Sequence, residues 1–191
     1  MKQLIDKIKQ EAVIKEESII KVDHFLNHQI DVSLMSDIAN VFYMYFQNTS
    51  ITKIVTIESS GIAPAAFSAL RFHVPCIFLK KEKPSTMEHP LSVEVFSYTK
   101  NKPYHLYVDA ALFSQNDKVL FIDDFLANGE AFLGFEKLMK QMYVEIKGVG
   151  IVIEKSFQLG RNIITNKAYP LCSLARIASL KDNIITFTKE H

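Results

Sequence analysis

Between Val119 and Ala131 the chain reads VLFIDDFLANGEA, an unbroken apolar run that meets two adjacent carboxylates, turns on Asn-Gly and starts a helix. A run that does not alternate apolar with polar residues is buried on both faces, as in a parallel sheet covered by helices. The same unit recurs. "KIVTIE" (53–58) passes through "SSGIAPAAFSALRF" into a helix, and "PCIFLK" (75–80) and "IKGVGIVIE" (146–154) read as further buried strands. Strand, turn and helix in succession predict an α/β fold with a central, mostly parallel sheet flanked by helices.

The remaining elements fit around that sheet. Apolar Leu4, Ile5, Ile8 and Ala12 at helical spacing predict a helix over 2–12, and Ser33 reads as the cap of a second over 34–47. "IIKVDHFLNHQID" reads as a loop, and "VEVFSYT" and "HLYVDA" as antiparallel strands joined through "KNKP". "KVLFID" (118–123) ends at the acidic pair; a helix over 129–142, helical residues at 158–164 and two short strands complete the chain. At 191 residues with 48% hydrophobic composition, one domain spanning 1–191 is expected.

Charge and cysteine content narrow the function. With 22 basic against 21 acidic residues, no basic excess points to nucleic acid. Cys76 and Cys172 lie in apolar company, as free thiols of a reducing compartment do. The charged amino-terminal helix is unlike a signal peptide, and no apolar run approaches a membrane span, so a soluble cytoplasmic protein is expected.

In such sheets ligands bind beyond the carboxyl ends of the strands, which gathers Glu58, Lys80, Asp124 and Lys155 around one crevice. Burying Asp123 beside Asp124 is costly unless donors or a cation lie opposite. The turn after them carries small residues at Ala127, Gly129 and Ala131, and the free N–H groups of a helix start attract phosphate. A sugar phosphate satisfies both, with its hydroxyls on the carboxylates and its phosphate on the turn. A helix cap and a magnesium site are the other readings these residues allow.

The stretch resembles the phosphoribosyl-pyrophosphate motif of type I phosphoribosyltransferases: four apolar residues, two acidic ones and a small-residue loop. "KVDHFLNHQID", "TKIVTIESSGIAPA", "IDDFLANG", "GIVIEKSFQ" and "SLARI", in that order over residues 21–177, resemble the bacterial xanthine phosphoribosyltransferase family. The resemblance implies a type I phosphoribosyltransferase fold with a small hood from the amino-terminal segment and the chain end. It implies purine salvage with xanthine and phosphoribosyl pyrophosphate as substrates, magnesium accompanying the latter, no metal held by protein residues alone, and a homodimer. By the same resemblance Asp123 and Asp124 are catalytic and hold the ribose hydroxyls, and Ala127, Asn128, Gly129, Glu130 and Ala131 cradle the 5-phosphate. Ser59, Ser60, Gly61 and Lys81 would receive pyrophosphate. The base would meet Ile20, Asn27, Lys155 and Phe157, with Lys155 donating to the 6-oxo group and Asn27 to the 2-oxo group. Residues 81–100 fall where the family places a closing loop.

The chain departs from the family at several of these positions. Asn128 stands where many members carry Thr, and Ala131 where many carry Thr or Ser. Lys80-Lys81 replaces the common Arg-Lys, and Ile20 the usual Leu. A base site preferring guanine or hypoxanthine is one alternative. A phosphoribosyl-pyrophosphate-sensing repressor is another, which a net charge of +1 disfavours.

Overall fold

The computed structural model describes residues 1–15, 19–97 and 101–188. In chain order they form α1 (Lys2–Glu11), β1 (Val13–Lys15), β2 (Ile19–Lys21), a π-helical turn (Asp23–Asn27), α2 (Val32–Phe46), β3 (Lys53–Ile57), α3 (Ile62–Phe72) and β4 (Cys76–Leu79). There follow β5 (Pro90–Ser97), β6 (Lys102–Asp109), β7 (Lys118–Leu126), α4 (Glu130–Gln141), β8 (Glu145–Lys155), α5 (Gly160–Asn166), β9 (Leu171–Ser179) and β10 (Thr186–Phe187).

Six strands make the central sheet in the order β10-β9-β8-β7-β3-β4, parallel throughout except for β10. The unbroken apolar strands supply both faces. Ile54, Leu120, Ile122 and Val152 join one core cluster with residues of α1, α2 and α3, while Val55, Phe121, Val149 and Ile151 join a second with α4 and the β5–β6 hairpin. Each large side chain so buried contributes about 1.5–3 kcal/mol, so a strand end carrying two carboxylates is costly unless the site uses them. From β3 the chain moves outward to β4, then returns to place β7 on β3's other side. The strand order reverses there, and the crevice lies between the carboxyl ends of β3 and β7.

Several boundaries differ from the sequence reading. Asp31, not Ser33, caps α2: its Oδ1 accepts the Leu34 N–H at 3.0 Å, while its Oδ2 receives Lys7 Nζ at 2.8 Å. A lysine partner anchors the aspartate as the hydroxyl of Ser33 cannot be anchored. The expected loop after Ile19 is instead the strand β2, paired antiparallel with β1, and the π-helical turn. β9 is no short terminal strand: it spans 9 residues and pairs parallel with β8. Strands β5 and β6 start earlier than expected because Val93, Val95, Leu106 and Val108 bury one face of the hairpin. Tyr98 and Thr99, expected to end the first of these strands, and Lys100, expected to open the connection, lie outside the described residues. Among the described residues no helix is long and apolar enough to cross a membrane. Cys76 and Cys172 are free, and burial pushes both thiols up to about 11.

Candidate active site

β7 continues through Asp123 and Asp124 to Leu126, three residues past the expected end. Its partner on one side gives out first. β3 pairs only as far as Val55 opposite Phe121, whereas β8 stays paired to Leu126. The acidic pair is therefore held by the backbone on the β8 side and open on the side of β3. Asp123 is 7% exposed. Its Oδ1 accepts the Asp124 N–H at 3.1 Å. Burial, then the neighbouring Asp124, pushes Asp123 well above the usual carboxylate range, and burial raises Asp124 as well. The positive charge of Lys81 opposes the rise at both residues.

Two turns flank the pair. Residues 58–61 lead from β3 into α3, with Ile62 N–H bonded to the Ser59 carbonyl at 3.1 Å. Gly61 has no room for a side chain, because an added carbon would collide with Thr56 Oγ1 and come within 2.6 Å of Asp123 Oδ1. This packing brings the Ser59–Gly61 turn against the acidic pair. Glu58 then ties the turn to the end of β4. Its Oε1 accepts the Lys81 N–H at 2.6 Å, and Lys80 Nζ stands 3.9 Å from its Oε2. Lys80 also lies over the Phe78 ring at 4.8 Å, so the cation that reaches the carboxylates is Lys81.

The second turn begins a helix. Asp123, Ala127, Gly129, Glu130 and Ala131 line a small cavity of about 70 Å³ together with Phe121, Phe125, Leu126, Phe132 and Ile151. Gly129 has φ +95° at the start of α4, and an added carbon would lie 3.2 Å from Gly160 Cα. The Gly160 N–H bonds the Ala127 carbonyl at 2.9 Å, which locks the loop to α5. The first N–H groups of α4 have no partner within their own helix, which suits a helix start to an anion.

Gly129→Val should raise the Michaelis constant for a phosphorylated substrate by about tenfold, because a branched side chain both strains a positive φ and crowds Gly160. Asn128→Ala should change it by less than about threefold if backbone N–H groups receive the phosphate. Steady-state kinetics on both variants separates a backbone cradle from a side-chain site, for which the two losses would be equal.

Asp123→Asn should raise Tm at neutral pH. A carboxyl whose folded pKa is raised stabilises the fold at low pH and loses that contribution as pH climbs through the folded value. The neutral amide escapes that loss, so the Tm gain over wild type should shrink as the pH is lowered. An Asp123→Asn protein less stable than wild type at pH 7 would contradict the burial argument.

The expected base residues lie on two other elements. Asn27 ends the π-helical turn and is exposed. Ile20 is 5% exposed within the core cluster that also takes in Phe25, Leu26, Phe125 and Ile153, which sets the hood against the end of β8. Lys155 ends β8 with its Nζ 5.7 Å from the Phe125 ring centre, and burial lowers its pKa. Phe157, an aromatic just after a strand, would ordinarily be core; it is 45% exposed.

Two features escaped the sequence reading. Glu154, fully buried beside Lys155, accepts both Arg161 Nε and Nη2 at 2.7 Å, the hydroxyls of Ser156 and Ser173, and Arg176 Nε at 3.3 Å. Burial raises this carboxyl, but Arg161 and the two serines outweigh it and hold the group below its ordinary value. Tyr104 on β6 is the other. Burial, Asp123 and Glu130 push its hydroxyl up to about 12, and it lines a cavity of about 360 Å³ with Lys81 and Lys102.

No protein-family model matches the chain. A xanthine phosphoribosyltransferase of Staphylococcus epidermidis is 48% identical over 191 residues, covering 100% of both chains. The chain belongs to the xanthine phosphoribosyltransferase family. The Staphylococcus aureus xanthine phosphoribosyltransferase is 46% identical over the full length of both chains, and that of Staphylococcus saprophyticus 47% over 98% of this chain and 97% of its own. Among solved structures, an adenine phosphoribosyltransferase of Trypanosoma brucei aligns with a TM-score of 0.78 over 98% of this chain and 85% of its own at 17% identity. One from Thermoanaerobacter pseudethanolicus aligns with a TM-score of 0.75 over 92% and 98% at 18% identity. These neighbours show the type I phosphoribosyltransferase fold.

Proposed function

We propose that this member of the xanthine phosphoribosyltransferase family transfers the 5-phosphoribosyl group of phosphoribosyl pyrophosphate to xanthine, giving xanthosine 5'-monophosphate and pyrophosphate. The observation that carries the reading is the buried Asp123–Asp124 pair between the Ser59–Gly61 turn and the Ala127–Ala131 loop, where two anion-receiving helix starts face one pair of carboxylates. Its end-to-end likeness to xanthine phosphoribosyltransferases supplies the base.

In the reaction the bond from the anomeric carbon to pyrophosphate breaks, a ring nitrogen of the base bonds to that carbon, and the base gives up a proton. Positive charge grows on the ribose ring on the way. Asp123 and Asp124 accept hydrogen bonds from the ribose hydroxyls and stabilise that charge more strongly than they do the ground state. The 127–131 loop fixes the 5-phosphate, and the Ser59–Gly61 N–H groups with Lys81 receive the departing pyrophosphate.

Among the described residues no cluster of three or more His, Cys, Asp or Glu could hold a metal ion. Two adjacent buried carboxyl groups suit a hard cation that takes one or two protein oxygens and the rest from substrate phosphates. Magnesium arriving with phosphoribosyl pyrophosphate would face Asp123 and Asp124 and neutralise charge on the leaving group. Like its family, the enzyme is a cytoplasmic homodimer in this reading, and light scattering would give its mass.

Base choice rests on donors. Xanthine carries oxo groups at positions 2 and 6, and Asn27 and Lys155 donate to those two edges, with Phe157 against the ring and Ile20 behind it. Guanine, whose 2-amino group a flipped Asn27 amide accepts, is the weaker alternative substrate. Asn27→Leu keeps bulk and removes the 2-oxo donor. The preference for xanthine over hypoxanthine should narrow by about 1–3 kcal/mol, since hypoxanthine has nothing at that position to lose. Kinetics on both bases gives the ratio, and an equal fall for both would make Asn27 a structural cap.

A further inference from the structure

Strand β3 is buried along Ile54, Val55, Thr56 and Ile57, and three of those four residues are aliphatic. Thr56 is fully buried, and its Oγ1 finds no hydrogen-bond partner among the described residues. Valine would fill the same volume and leave no polar atom unpaired, so the hydroxyl works against the stability of the free protein. Its position is informative. A carbon built on Gly61 would collide with Thr56 Oγ1 and lie 2.6 Å from Asp123 Oδ1, so the hydroxyl and the carboxylate flank one point beside Gly61. Gly61 is the residue that lets both oxygens stand there. Asp123 Oδ1 already accepts the Asp124 N–H at 3.1 Å, and a carboxylate oxygen has capacity for a second donor.

We propose that Thr56 is a positioning residue, whose hydroxyl donates to Asp123 when phosphoribosyl pyrophosphate binds and fixes the carboxylate against the ribose. The proposal rests on the reading of Asp123 given above. Both oxygens lie within 2.6 Å of that one point, so rotation of the side chains can bring them together, and the Thr56 hydroxyl has no other partner among the described residues to leave. Orientation of a buried carboxylate matters most as charge develops on the substrate, so the loss should fall on turnover and spare substrate binding.

The test compares Thr56→Val, Thr56→Ser and Thr56→Ala, in the wild-type and Asp123→Asn backgrounds, by steady-state kinetics and thermal melts. Thr56→Val should lower kcat about ten- to a hundredfold, with the Michaelis constant for phosphoribosyl pyrophosphate within about twofold and Tm unchanged or raised. Thr56→Ser keeps the hydroxyl and should recover most of that turnover. In the Asp123→Asn background the amide oxygen still accepts but there is no charge left to orient, so Thr56→Val should cost much less than in the wild type. The proposal is overturned if Thr56→Val keeps full turnover, if Thr56→Ser falls as far as Thr56→Val, or if the loss is the same factor in both backgrounds. Should Thr56→Val not fold, Thr56→Ala against Thr56→Ser makes the same comparison. Full turnover by Asp123→Asn alone would instead refute the role of Asp123 itself.

Discussion

Asp124→Asn should lower kcat by two to three orders of magnitude, about 2.7–4 kcal/mol of transition-state stabilisation, while changing the substrate Michaelis constants only modestly. The expectation follows from where the residue sits. Asp124 belongs to a strand paired on the β8 side and open on the side of β3, at the carboxyl end where the strand order reverses. Burial raises its pKa against the opposing pull of Asp123, two backbone N–H groups and Lys81, so a bound hydroxyl or cation adds to the partners the carboxylate already has. An amide of the same shape still hydrogen-bonds a ribose hydroxyl, so ground-state binding survives. It carries no charge to set against the cationic ring, so turnover does not. A variant with normal kcat and a raised Michaelis constant would make Asp124 a binding residue only.

Glu154→Gln should be the most destabilising single change near the site, costing about 3–5 kcal/mol and toward the lower figure because Arg161 and Arg176 keep some contact with water. The amide is isosteric, but its NH2 group faces the arginine donors, and the bidentate bond from Arg161 is lost. The pH dependence has a definite sign. The folded pKa of Glu154 lies below its ordinary value of 4.5, so its contribution is complete above that value and is lost as pH falls through the folded one. The stability gap between wild type and Glu154→Gln should therefore close in acid. Denaturant titrations at pH 7 and below 4 measure both numbers. A gap that stayed constant with pH would mean that Glu154 acts through packing alone.

The sheet was legible because its strands are buried on both faces: Val119–Ile122 and Val149–Ile153 have no alternation to misread, and each ends at a turn. The acidic pair was legible for the same reason, since adjacent carboxylates closing an apolar run have no structural excuse. What depends on distant partners was not. Asp31 caps α2 rather than Ser33 because Lys7, on another helix, stands beside it. Glu154 meets Ser173 and Arg176 only because β8 and β9 pair, with Glu154 opposite Arg176. Tyr104 comes within reach of the charges of Asp123 and Glu130 because the hairpin packs on α4, which no local pattern records. Thr56 reads as an ordinary strand residue until Gly61 is seen to lie against it.

Pyrophosphate release, measured with phosphoribosyl pyrophosphate, magnesium and each of xanthine, guanine, hypoxanthine and adenine in parallel, reads out both the reaction and its base. Xanthine should give the highest kcat/KM, guanine and hypoxanthine lower values, and adenine, whose amino group would meet the proposed donor Lys155 instead of an acceptor, the lowest. Preference for adenine, or no release with any of the four bases, would contradict the account.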